Sequence, residues 1–221
     1  MEFTIDNEFA TRVPDYRILV IECDVTNSPV SESQMREFDS LAEEMAARYE
    51  VADINRIPAI AATRAAYKAC GKDPNRYRPS QEQLMRRIVR GLGLYHIDAV
   101  VDAGNQFSVA TGCPIGCFDA DRIEGTSIAL GIGRRGEPYE GIGRGELNIE
   151  GMPVIRDSIG GFGTPTSDCE RTKITSGTVR MLATIHLFDS TLDTDEVMDT
   201  FTGIFTRHAK ATNISHQLYH A

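Results

Sequence analysis

The sequence predicts an α+β fold, read as one domain over residues 1–221, with a helical first half and a strand-rich second half. Three observations predict it. Four segments before Gly112 carry helical apolar spacing or helix boundary signals. After Ser127 glycines become dense, and short apolar runs alternate with turn residues. No shift in composition marks a linker between the halves.

Tyr16 to Val25 (YRILVIECDV) is a β-branched run ended by Thr26-Asn27-Ser28-Pro29, and it predicts a buried strand. Ser31 starts a helix, with Met35, Phe38, Leu41, Ala42, Met45 and Tyr49 on one face. A second helix begins at Pro58, whose missing N–H costs nothing in a first turn, and runs to Cys70, with Gly71 as its stop. Asp73-Pro74-Asn75 makes a turn. Ser80 and Gln83 have capping-box spacing and open a third helix, whose apolar face holds Leu84, Met85, Ile88, Val89 and Leu92. Val100 to Thr111 reads as a short helix closed by Gly112. The strand-rich half contains SIALGI, a segment around Tyr139, MPVI and VRMLATIHLF. Thr194 is the expected cap of a last amphipathic helix through Lys210, and the tail from Thr212 is expected to be loosely held.

Composition narrows the function classes. The 221 residues are 41% hydrophobic and 25% charged, ordinary globular usage, so no metal or disulfide support is needed. No apolar run approaches the ~18 residues of a membrane span, and the acidic N-terminus lacks a signal-peptide core. Five cysteines without framework spacing are read as free thiols of a cytoplasmic protein. The net charge of −9 argues against a protein that coats nucleic acid. Yet Arg64 to Arg90 carries +6, which leaves −15 for the rest. Such an island suits an anionic partner, and Arg76, Arg78, Arg86, Arg87 and Arg90 are its candidate RNA contacts; a solvated helix face is the competing reading.

Several motif-like patterns fail on context. Gly131 to Gly136 spells G-x-G-x-x-G, but Glu137-Pro138 follows where a dinucleotide loop needs a helix, so a hairpin turn is expected. The GIGR strings at 131 and 141 suggest similar hairpin arms. Cys113, Cys117 and Cys169 lack zinc-ribbon spacing, and Pro114 with Gly116 reads as a turn. No nucleophile elbow occurs, and neither metal nor cofactor is expected. Carboxylates remain. Asp168 and Glu170 stand in a loop of small residues, where a carboxylate can accept an α-ammonium or orient a water; a solvated, self-paired turn is the bland alternative.

VVDAGNQFSVATGCPIGCFDADRIEG at 100–125 and DCERTKITSGTVRML at 168–182 resemble the editing (B3/B4) module of the phenylalanyl-tRNA synthetase β subunit, here freestanding. PNRYRPSQEQLMRRIVRGLGLY at 74–95 is similar to standalone members of that family. The resemblance implies a layered β/β/α fold. It also implies hydrolysis of a mischarged aminoacyl ester in the service of translation fidelity, with tRNA as partner. The family's site glutamate falls on Glu170 and its asparagine on Asn105; its threonine falls on Gly104 and its histidine on Gly116. The two glycines predict a roomier, less polar pocket and a different amino acid. Thr172 and the backbone N–H groups of Gly160, Gly161 and Gly163 complete the expected substrate contacts, the latter as oxyanion donors. The alternative is a module that binds tRNA, an amino acid or a protein and has lost the chemistry.

Overall fold

A computed structural model describes all 221 residues. The chain runs β1 (Glu2–Ile5), α1 (Asn7–Arg12), β2 (Arg17–Asp24), α2 (Glu32–Arg48), α3 (Pro58–Cys70), α4 (Ser80–Val89) and α5 (Ala99–Thr111). It continues β3 (Ile115–Asp119), β4 (Ser127–Ile132), β5 (Glu140–Gly141), β6 (Gly145–Glu146), β7 (Pro153–Arg156), β8 (Gly161–Gly163), β9 (Arg180–Leu187), α6 (Thr194–His208) and β10 (Thr212–His220). One sheet has the order β1-β4-β7-β8 and a second β10-β2-β9-β3; β5 and β6 form a separate hairpin.

The layers follow from burial on both faces of the second sheet. In β2, Ile18 and Val20 join Leu130, Val154, Phe162 and Leu182 in a core between the sheets. Leu19 and Ile21 point the other way, into a core with Val100, Ala103 and Phe107 of α5 and Phe201 and Phe205 of α6. That double burial explains the uninterrupted ILVI run. The arrangement is sheet on sheet on helices, the expected α+β layering. A third cluster, with Phe38, Ile60, Met85, Ile88 and Val109, joins α2, α3 and α4 to the outer side of α5.

The predicted helices are all present, with local corrections. Ser31 caps α2 by accepting from the Gln34 N–H at 3.2 Å. The Ser80 side chain caps nothing; its N–H donates to the Pro165 carbonyl at 2.8 Å, and Gln83 donates instead to the Arg78 carbonyl. That bond docks the start of α4 on the Thr164–Asp168 loop. Asp193, not Thr194, caps α6, because its carboxylate accepts from the Asp195 and Glu196 N–H groups. The two GIGR strings lie in different sheets, β4 pairing with β7 and β5 with β6.

Three strands differ from expectation. The tail is not loose: β10 pairs antiparallel with β2, from Thr212 against Asp24 to His220 against Arg17. As an edge strand it is mostly exposed, with Ile214, Leu218 and Tyr219 half-buried, so its sequence lacks a clear apolar alternation. β1 pairs in parallel with β4. Ile115 to Asp119, read as a turn at Pro114 and Gly116, is the strand β3, paired with β9.

Gly116 has a packing reason. A Cβ there, or on Gly163 in β8, would run into the Phe118 ring. The ring lies in the inter-sheet core, edge-on to Phe162 at 4.8 Å between centroids. Gly116→Ala should therefore lower stability by about 1–3 kcal/mol through overpacking, read as a fall in the urea midpoint. An unchanged midpoint would show that the ring has room to move.

Candidate functional site

Packing α5 on β3 opens a cleft of about 400 Å³ on one side of their junction. Val101, Gly104, Asn105 and Ser108 line it from α5; their spacing of three and four residues puts them on one helix face. Ile115 and Cys117 of β3 face them, because alternation along the strand turns these two away from Phe118. Thr164, Ser167 and Asp168 line it from the loop after β8, while Ile97, Ile142, Lys173 and Ile174 contribute from the surrounding loops. Gly104 sets the fit of helix on strand: a Cβ there would lie 3.3 Å from the Cys117 sulfur. Gly104 lines the cleft, whereas Gly116 does not, and the space beside Gly116 is taken by the Phe118 ring.

The wall is largely apolar, with a few polar groups set into it. Asn105 and Ser108 bring an amide and a hydroxyl from adjacent turns of α5. Asp98 also lines the cleft, but its carboxylate is taken as the α5 cap, accepting from the Val101 N–H at 2.9 Å. Thr164 is turned on its own loop, donating to the Ser167 carbonyl at 2.9 Å. Asp168 differs. Burial pushes its carboxyl up to about 8, against the opposing pull of the Cys117 N–H, and no cation of the chain offsets that burial.

Asn105 and Asp168 thus share one cleft, and several other predicted residues lie elsewhere. Glu170 begins a short 3-10 turn, Glu170–Thr172, with its side chain partly exposed. It accepts from the Lys173 ammonium at 2.5 Å and the Gly143 N–H at 3.2 Å, which together hold its carboxyl below the usual range. Through Lys173 it touches only the rim. Thr172 is fully buried, and its hydroxyl has no partner. Gly160 and Gly161 line a different cleft, together with Arg134, Arg135 and Arg156. The Gly160 N–H already donates to Asp157 at 3.1 Å, and Gly161 and Gly163 pair with β7, so this loop supplies no oxyanion donors to the Asn105 cleft. Asp168 is the site residue that spacing alone did not single out. The sequence holds no signal that separates them, since Arg171 follows Asp168 at the same spacing as Lys173 follows Glu170; in the structure Lys173 pairs with Glu170, while Arg171 turns away to Asp157.

The basic island divides under the same scrutiny. Glu82 is fully buried in α4 and binds Arg64 at 2.8 Å and Arg86 at 2.8 Å, with Arg78 at 4.0 Å. Lys72 donates to the Asn148 and Glu150 carbonyls. Arg87 stacks 3.9 Å over the Tyr95 ring and donates to the Leu92 carbonyl. Arg76, Arg78 and Arg90 remain exposed. Much of the local positive charge therefore answers one interior carboxylate.

The fold and cleft define a domain whose family is shown by comparison. The B3/4 domain model matches residues 62–220, and the chain belongs to that family. Over 118 residues, 49% of the chain, it is 30% identical to the phenylalanine–tRNA ligase beta subunit of Bartonella henselae. It spans only 14% of that relative's length. An N-terminal fragment of the phenylalanyl-tRNA synthetase beta-subunit from Pyrococcus horikoshii aligns over 100% of this chain and 54% of its own, with a TM-score of 0.49 and 12% identity. No helix is long and apolar enough to cross a membrane.

Arg86→Ala should cost about 3 kcal/mol, because it strips a partner from a buried carboxylate; chemical denaturation reads this, and a change under 1 kcal/mol would contradict the pairing. Asp168 gives a pH signature. Its folded value lies above the ordinary aspartate value of about 4, so the folded state holds the proton more tightly. Its contribution to stability is full below about pH 4 and is lost as pH rises through about 8. Asp168→Asn should raise stability at pH 8.5 by about 2–4 kcal/mol and flatten the slope across that window. An unaltered slope would show that Asp168 ionises freely.

Proposed function

We propose that the α5–β3 cleft receives the aminoacyl end of a charged tRNA and hydrolyses its ester, releasing amino acid from the wrong tRNA. The observation that carries this reading is the cleft itself. Its size falls in the usual range for small ligands, and it sets the Asn105 amide, the Ser108 hydroxyl and the Asp168 carboxyl around an apolar wall. Membership of the B3/4 family and partial similarity to a synthetase β subunit support the substrate class.

The chemistry asks for placement more than for a strong nucleophile. Water oxygen bonds to the ester carbonyl carbon, the bond to the ribose oxygen breaks, and the displaced proton ends on that ribose hydroxyl. Asn105 is positioned to donate to the carbonyl oxygen as negative charge develops there. Holding the ester and water in one orientation supplies much of the remaining acceleration. Glu170 acts at the rim with Lys173, where it orders the entrance. Exposed Arg76, Arg78 and Arg90 give tRNA phosphates a modest, salt-sensitive attachment.

A second reading, a binding module without hydrolysis, is favoured by one observation: the expected catalytic carboxylate of Glu170 is bound to Lys173 outside the cleft. A panel of correctly and incorrectly charged tRNAs separates the two. The enzyme reading expects deacylation above buffer for at least one mischarged pair. It also expects a fall of about 10²-fold with Asn105→Ala, as for removal of an oxyanion donor, and at most a few-fold fall with Glu170→Ala. No release from any pair leaves the binding reading in place.

A further inference from the structure

Asp168 combines three properties that a structural carboxylate rarely has together. It lines a cleft, its surroundings disfavour the charged form, and the chain supplies it with no counter-ion. The charged and titratable groups around it are all committed. Lys173, the basic residue of the cleft wall, is bound to Glu170. Asp98 caps α5. Tyr139 donates to the Ser167 carbonyl at 2.7 Å, and burial keeps both its phenol and the Cys117 thiol neutral. Buried carboxylates of this chain are answered from within: Glu82 by Arg64 and Arg86, Asp157 by Arg171, and Asp102 by the Ile97 N–H and His96. Asp168, partly exposed at the cleft wall, is the acid that no cation of the chain pairs with.

We infer that Asp168 is the receptor for a primary ammonium group, so that the cleft selects ligands carrying a free α-amine next to an apolar side chain. This rests on the proposed reading that an aminoacyl ester occupies the cleft, and it names the handle by which that ester is held. The apolar walls from Val101, Ile115 and Ile174 suit the side chain, and Asn105 on α5 suits the carbonyl. An incoming ammonium replaces the missing counter-ion, and the acid gives up its proton as the pair forms. A ligand whose amine is acylated offers no charge and leaves the acid unpaired, which is the kind of loss by which a site discriminates.

The test uses the whole chain and small probes. L-leucinamide, L-phenylalaninamide and their N-acetyl derivatives are titrated into ¹⁵N-labelled protein at pH 7, with the backbone signals of Asn105 and Cys117 followed. At least one free amine should bind at this cleft, and its N-acetyl derivative should bind at least tenfold more weakly. Asp168→Asn, an uncharged isostere expected to fold, should erase that preference. Equal binding of the two forms, retained preference in the variant, or no binding of any amide would each overturn the inference. Amine-selective binding without deacylation of any charged tRNA would sink the hydrolysis reading and leave the ammonium site standing. Equal deacylation of free and N-acetylated aminoacyl-tRNA would do the reverse.

Discussion

The structure depends on where one aromatic ring sits. Phe118 of β3 lies between the two sheets, against Gly116 on its own strand and Gly163 on β8. With no Cβ at either glycine, the ring ties the sheets together at van der Waals distance. Strand alternation then leaves Ile115 and Cys117 no choice of face; both must look toward α5. The same contact holds β8, and β8 leads directly into Thr164 to Asp168. Cys169 donates its N–H to the Phe162 carbonyl, and Lys173 bridges back to Phe118, so the loop is returned across β3 instead of drifting into solvent. One ring therefore fixes both the strand wall of the cleft and the approach of the acid that lines it.

Helices α2 to α6 and strands β2 and β9 were legible because their signals are local. β2 carries a dense β-branched run and β9 a mostly apolar one, and α2, α3 and α5 carry usable start or stop residues. The strands that were missed lack such signals. β10 is half-solvated at an edge and holds polar residues at most positions, and β3 follows Pro114 and holds Gly116, whose role is to make room for the Phe118 ring two residues along the same strand. The family resemblance correctly drew attention to 100–125, which supplies α5 and β3. It pointed to Asn105, which lines the cleft, and to Glu170, which does not. Choosing between Asp168 and Glu170 needs the turn geometry between them, and no residue pattern encodes that in isolation.

The charge island shows why a count of residues is weaker than a map of their partners. Eight basic side chains within 64–90 suggest a surface for an anion. Burying Glu82 at the centre of that segment consumes Arg64 and Arg86 and draws in Arg78. A buried acid with its own arginines and a partly exposed cleft acid without any lie in the same protein. The first is part of the scaffold that orients α4; the second faces an open cleft. That contrast separates structural from ligand-directed charge more clearly than exposure or net charge does.

In the proposed complex an aminoacyl group lies between Asn105 and Asp168 with its amine toward the acid. The most direct measurement is a crystal structure with a non-hydrolysable aminoacyl adenosine, the ester oxygen replaced by NH. Density is expected in the α5–β3 cleft, with the ammonium within hydrogen-bonding distance of Asp168 and the carbonyl oxygen within reach of Asn105. Density in the arginine-lined cleft beside Gly160 and Gly161, or an inverted pose with the amine turned to solvent, would contradict it.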